Sequence, residues 1–143
     1  MILTNIVAVL AAALLGAVIG AEREWRRHSG GLRSSALVAA ASCVFARLIG
    51  TYGGGSAGAG LGAIATGVGF LGAGVILHQR GQVRGLSTAA TFLAVAAVGA
   101  AMGLDEYGLS MALTAVVFFA HVALRWLSAW IERKAPPEDA GPQ

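Results

Sequence analysis

The stretch GAEREWRRHSGGLRSSA (residues 20–36) holds six of the chain's seventeen Asp, Glu, Lys and Arg residues, all between Glu22 and Arg33. It is flanked by two runs, residues 2–21 and 35–51, that contain one charge between them, Arg47. A helix needs roughly 17–25 mostly apolar residues to cross the hydrocarbon core of a bilayer. The stretch therefore reads as a polar hinge between two membrane helices, and the rest of the chain repeats that pattern.

Three more runs of sufficient length follow, at residues 58–77, 86–102 and 109–127, giving about five transmembrane helices in an all-α integral membrane protein. The composition agrees. Hydrophobic residues make up 57% and charged residues 12% of the 143, with a mean hydropathy of +0.74, whereas soluble domains carry about a quarter charged residues. The first run lacks a basic segment before it and is long enough to span, so it reads as a retained helix rather than a signal peptide.

Lys and Arg accumulate in cytoplasmic loops. Arg23, Arg26, Arg27 and Arg33 lie in the first loop, Arg80 and Arg84 in the third, and Arg125, Arg133 and Lys134 at the end of the fifth run. The second and fourth loops have neither residue type, which places the N-terminus outside and the C-terminus in the cytoplasm. Trp25, Trp126 and Trp130 mark the inner interface, and Tyr52 and Tyr107 the outer one. Residues 1–134 thus form a polytopic membrane domain. The polar, Pro-rich residues 135–143 read as a disordered cytoplasmic tail.

A pI of 9.8 would suit nucleic acid, but five spans leave little soluble surface for a basic face, so the arginines are read as topology signals. Cys43 is the single cysteine and reads as a small buried residue. Arg47, in the outer half of the second run, is expected to reach outward or to pair with Asp105 or Glu106. His121, in the fifth run, reads as hydrogen-bonded packing.

Glycine numbers 21 residues, largely inside the apolar runs, where small residues let helices approach closely. Gly58, Gly62, Gly69, Gly72 and Gly74 make the third run a packing hub, with small-xxx-small pairs also at Gly16/Gly20 and Gly99/Gly103. GGLRSSALVAA from Gly30 resembles RGLSTAATFLA from Arg84. Each opens an outward-going helix, as in a tandem repeat of helical hairpins.

Taken in order, GAERE, GGLRSSALV, GVGFLGAGVI and GQVRGLSTAAT resemble the MgtC/SapB family of bacterial inner-membrane proteins over about residues 16–107. The family patterns G-L-E-R-E, A-G-L-R-T, G-F-L-G-A-G and G-L-T-T-A-A carry over to Gly20, Glu22, Arg23, Glu24, Gly31, Leu32, Arg33, Gly69, Phe70, Leu71, Gly72, Gly74, Val83, Gly85, Leu86, Thr88, Ala89 and Ala90. Ala21 stands for the usual Leu, Gly30 for Ala, Ser34 for Thr, Ser87 for Thr or Asn, and Leu93 for Trp. Longer members append a soluble domain. By resemblance this chain is the membrane domain of the short form.

These motifs make Glu22, Arg23, Glu24, Arg33 and Ser34 the first functional hinge, and Arg84, Gly85, Ser87 and Thr88 the second. Ser34 or Ser35 is expected to cap the second helix, and Ser87 or Thr88 the fourth. Two helix N-termini would then face the cytoplasm beside six arginines, a surface suited to lipid phosphate, a nucleotide or an acidic segment.

No enzyme constellation, nucleic-acid surface or resident cofactor is expected. The resemblance implies a regulatory membrane protein linked to magnesium limitation, and to virulence in some bacteria, that contacts a membrane ATPase or cation transporter. Two alternatives stay open: a small magnesium or ion transporter with Glu22 as the metal-ligand candidate, and a scaffold for anionic lipid. A limited core favours a homo-oligomer, with a dimer as the simplest form.

Overall fold

The computed structural model describes residues 2–25, 31–79 and 82–134. Arg26, Arg27, Arg80 and the tail at 135–143 lie outside the described residues, as do their expected roles.

Among the described residues, five helices are long and apolar enough to cross a membrane: α1 (Ile2–Trp25), α2 (Leu32–Tyr52), α3 (Ala57–Val75), α4 (Leu86–Gly103) and α5 (Tyr107–Lys134). A single 3₁₀ turn, Gly54–Ser56, leads into α3. The expected third loop is instead an antiparallel hairpin of two short strands, β1 (Leu77–Gln79) and β2 (Gln82–Arg84), in which Leu77 pairs with Arg84. Backbone pairing there satisfies amides that a loop at the membrane boundary would leave to water. The expected first hinge is also shorter than its charges suggest, because α1 continues through Glu22, Arg23 and Glu24 to Trp25.

Helix α4 is the centre of the bundle. Some 56% of its span is buried, against 11% for α3 and for α5, and it packs on all four other helices. Its Val95, Val98 and Met102 join Ala8, Ala12 and Ile19 of α1, Ala39 and Cys43 of α2 and Val117 of α5 in the main core. Phe92 and Ala96, on another side of α4, meet Val68 of α3.

Helix α2 is held on two sides by glycine pairs. A methyl group added at Gly16 of α1 would lie 2.6 Å from the Ser35 carbonyl oxygen, and one at Gly20 would lie 2.8 Å from that of Gly31. On the α4 side, methyls at Gly99 and Gly103 would overlap the carbonyl oxygens of Ala39 and Cys43. In lipid, with little hydrophobic drive between helices, such backbone approach is the main source of attraction.

The third helix departs from the expected hub. Gly72 does pack closely on Ala89 of α4, but methyls at Gly58, Gly62, Gly69 and Gly74 would meet nothing within 4 Å. Those positions face outward because α3 touches the bundle along the side that carries Val68 and Gly72.

At one end of the bundle, Arg47 of α2 donates to Asn5 Oδ1 of α1 (2.7 Å) and pairs with Asp105 at the α4–α5 turn (3.0 Å). Tyr107 donates to the same Asp105 oxygen at 2.6 Å, and these bonds hold the carboxyl of Asp105 below the usual carboxylate range, the Tyr107 hydrogen bond contributing most. One of the two partners expected for Arg47, Asp105, is the one it takes. Trp25, Trp126 and Trp130 are exposed at the opposite end, the end that carries Arg23, Arg33 and Arg84.

Candidate functional site

The arginine-rich end contains a polar cluster built by three helices. Arg23 is 21 residues from the start of α1, about 32 Å along a helix, and so reaches the far boundary of a hydrocarbon core roughly 30 Å thick. Its side chain turns into the bundle and is 2% exposed. A charge so placed is costly unless it is hydrogen-bonded.

Helix α4 supplies most of the partners. Nη2 donates to Thr88 Oγ1 at 2.8 Å, while Nη1 donates to Thr91 Oγ1 at 2.9 Å and reaches Ser87 Oγ at 3.4 Å. Ser87, Thr88 and Thr91 lie at i, i+1 and i+4, a spacing that gathers three hydroxyls over one turn of helix. Glu22, half-buried beside Arg23 in the sequence, adds a negative charge that acts on the guanidinium.

The fifth helix completes the cluster with His121. Its Nδ1 lies 2.8 Å from the Val117 carbonyl, which can only accept, so Nδ1 carries the hydrogen. In the neutral ring Nε2 is then an acceptor, and it faces Arg23 Nη1 at 3.3 Å and Thr91 Oγ1 at 3.0 Å. The Thr91 hydroxyl also reaches the Ser87 carbonyl at 2.7 Å. Arg23, Thr91 and His121 thus lock α1, α4 and α5 together at one level.

The other sequence-expected residues have different positions. Glu24 is exposed and its Oε2 accepts the Leu32 amide hydrogen at 2.8 Å, so a carboxylate from α1 caps α2 and complements its dipole. The expected serine caps are replaced. The N-cap residues are Gly31 and Gly85, neither with a side-chain cap bond, and Ser87 and Thr88 turn to Arg23 instead. Ser35 is fully buried against Gly20, while Arg33 and Ser34 are exposed on the first turn of α2.

Arg84 is also exposed. Gly85 follows it with φ of +94°, and a side chain there would overlap the Val75 carbonyl oxygen at the end of α3. Glycine is required at that position on both counts. Sequence reasoning did not select Thr91, and it read His121 as hydrogen-bonded packing without naming its partners, which are Arg23, Thr91 and the Val117 carbonyl. The hydroxyl spacing at 87, 88 and 91 was a usable sign, whereas no local pattern connects His121 to Arg23, 98 residues away.

The fold and this cluster define a multi-pass membrane protein whose bundle is pinned by a buried arginine. The chain belongs to the MgtC family, whose model matches residues 9–130. It is similar to Protein MgtC of Salmonella typhimurium strain LT2, at 45% identity over 117 residues, which is 82% of this chain and 51% of that one. Protein MgtC of Brucella abortus strain 2308 is 38% identical over 135 residues, covering 93% of this chain and 57% of the relative. An uncharacterized protein of Synechocystis is 37% identical over 124 residues, 86% of this chain and 53% of its own. The chain spans about half the length of these curated relatives. No solved structure matches it.

Proposed function

We propose that the chain is a regulatory, non-catalytic protein of the bacterial inner membrane, supporting adaptation to magnesium limitation by contacting another membrane protein such as an ATPase or a cation transporter. The observation that carries this reading, beside family membership, is the sign of the buried charge. Among the described residues, the charged side chain enclosed by the bundle is Arg23. A divalent cation crossing the bundle would meet a fixed positive charge, and hard cations call for several oxygen ligands, commonly carboxylates. Among the described residues no three His, Cys, Asp or Glu side chains come together.

The outward faces suit contacts within the bilayer. Gly58, Gly62 and Gly69 share one open face of α3 at helical spacing, and a homodimer through that face belongs to the same proposal.

Magnesium flux into liposomes holding the purified protein tests the reading. Wild type and Glu22→Ala should both match empty vesicles, while Arg23→Gln, present in the membrane at normal abundance, should lose the low-magnesium growth phenotype. Saturable flux that requires Glu22 would overturn it in favour of a transporter.

A further inference from the structure

Between α2 and α3 runs an apolar groove with a cavity of about 660 Å³. Leu37, Ala41 and Phe45 line it from α2, and Ala63, Gly67 and Leu71 from α3. Phe92 and Ala96 of α4 pack beneath it against Val38 and Val68. Toward the end marked by Tyr52 the groove closes, because the Ile49 side chain presses on Gly60, where a methyl would lie 2.9 Å from Ile49 Cδ1. The open part of the groove, with Leu37, Phe45 and Leu71 exposed along its side, therefore lies toward the arginine-rich half.

That entrance has a basic residue at its edge. Arg33 precedes Leu37 by four residues, one turn along α2 and about 40° round from it, and Ser34 stands in the same relation to Val38. Both Arg33 and Ser34 are exposed. Arg84, also exposed, lies at the same end, next to the Gly85 that abuts the end of α3.

From Leu37 to Ile49 the groove extends twelve residues, about 18 Å at helical rise. One leaflet of a hydrocarbon core roughly 30 Å thick is about 15 Å deep. The groove thus matches the reach of a single acyl chain from the inner leaflet, with a cation at the level of the headgroup. A transmembrane helix would need the full thickness. The glycines proposed above for self-association, Gly58, Gly62 and Gly69, lie on the opposite face of α3 from Ala63 and Gly67 at 3.6 residues per turn.

We infer that the α2–α3 groove is a binding site for an anionic phospholipid of the inner leaflet, its acyl chain lying along Leu37–Phe45 and Gly67 and its headgroup phosphate on Arg33. The site does not depend on the regulatory reading. It converts exposed residues at the mouth of the bundle, Arg33 and Ser34, into a headgroup cradle whose apolar counterpart is already formed.

Native mass spectrometry of the full chain, with phosphatidylglycerol or phosphatidylethanolamine of identical acyl chains added, tests this. Wild type should retain phosphatidylglycerol in preference to phosphatidylethanolamine. Arg33→Gln should weaken phosphatidylglycerol retention about five-fold, the scale set by one basic residue at an anionic lipid surface, and should remove the preference. Gly67→Leu, placed where a side chain meets open space, should reduce retention of both lipids with the melting temperature unchanged. Equal retention by wild type and Arg33→Gln would overturn the proposal. So would full competition by glycerol phosphate, which marks a phosphate site without a chain groove, or conversion of a dimer to a monomer by Gly67→Leu, which marks the groove as a protein interface.

Discussion

Arg23 of α1 donates to Thr91 of α4 at 2.9 Å across 68 residues of sequence, in the interior of a membrane bundle. The bond joins a charge at the end of one helix to the hydroxyl face of the most buried helix. His121 touches both partners, so the three residues act as one unit.

Thr91→Val keeps the shape of the side chain and removes the acceptor for Arg23. It should destabilise the bundle by about 1.5–3 kcal/mol, the range for hydrogen bonds to charged groups, and Thr91→Ser should recover most of this. Unfolding of the purified protein in detergent reads both. Arg23→Lys should behave like a loss, because an ammonium lacks the planar fork that reaches Thr88 and Thr91 together.

His121→Leu should also destabilise, and the two changes should not add. A double-mutant cycle of Thr91→Val with His121→Leu is expected to give a coupling of about 0.5–3 kcal/mol, as for residues within one network. Additivity would separate His121 from the cluster.

Glycine substitutions should divide by face. Gly99→Ala and Gly103→Ala force a methyl onto the α2 backbone and should cost about 1–3 kcal/mol, typical of overpacking. Gly62→Ala meets open space and should leave the melting temperature unchanged or raised, since alanine is the better helix former. If α3 self-associates, Gly62→Ala will show in the oligomer distribution by crosslinking, with the fold intact.

Glu24→Ala should destabilise the start of α2 by about 1 kcal/mol, the usual value of a side-chain cap, and Glu24→Gln should retain much of it. Faster amide exchange at Leu32 is the local readout.

The Arg47–Asp105–Tyr107 tie should depend on pH. Its hydrogen bonds hold the Asp105 carboxyl below its ordinary range, so folding favours the ionised form. The contribution is complete above the unfolded carboxyl's pKa of about 3.9 and is lost as the pH falls through the lower folded value. The difference in melting temperature between wild type and Asp105→Asn should therefore be present at pH 7 and shrink below about pH 4.

Hydropathy made the five spans legible, because a bilayer imposes length and apolarity on every crossing. The glycine pairs on α1 and α4 were legible as contact surfaces for the same reason. The glycines of α3 were not, since spacing shows that a face is small without showing whether a helix of the same chain covers it. The family motif singled out Arg23 together with Glu22, Glu24, Arg33 and Ser34, but it did not show that Arg23 is the one the bundle encloses. Ser87 and Thr88 looked like caps because hydroxyls at a helix start usually serve the backbone. Here a buried guanidinium is the more demanding partner.

By itself the sequence determined how many helices are long and apolar enough to cross, the boundaries of the first four to within about four residues, and the family, whereas α5 runs seven residues past its expected end. Only the tertiary structure decided which charge turns inward and which hydroxyls and imidazole receive it. It also decided which glycine faces are filled and where a groove is left between α2 and α3. The physical reason is that burial and hydrogen-bond partnership are relations between helices far apart in the chain, set when α4 packs among the other four.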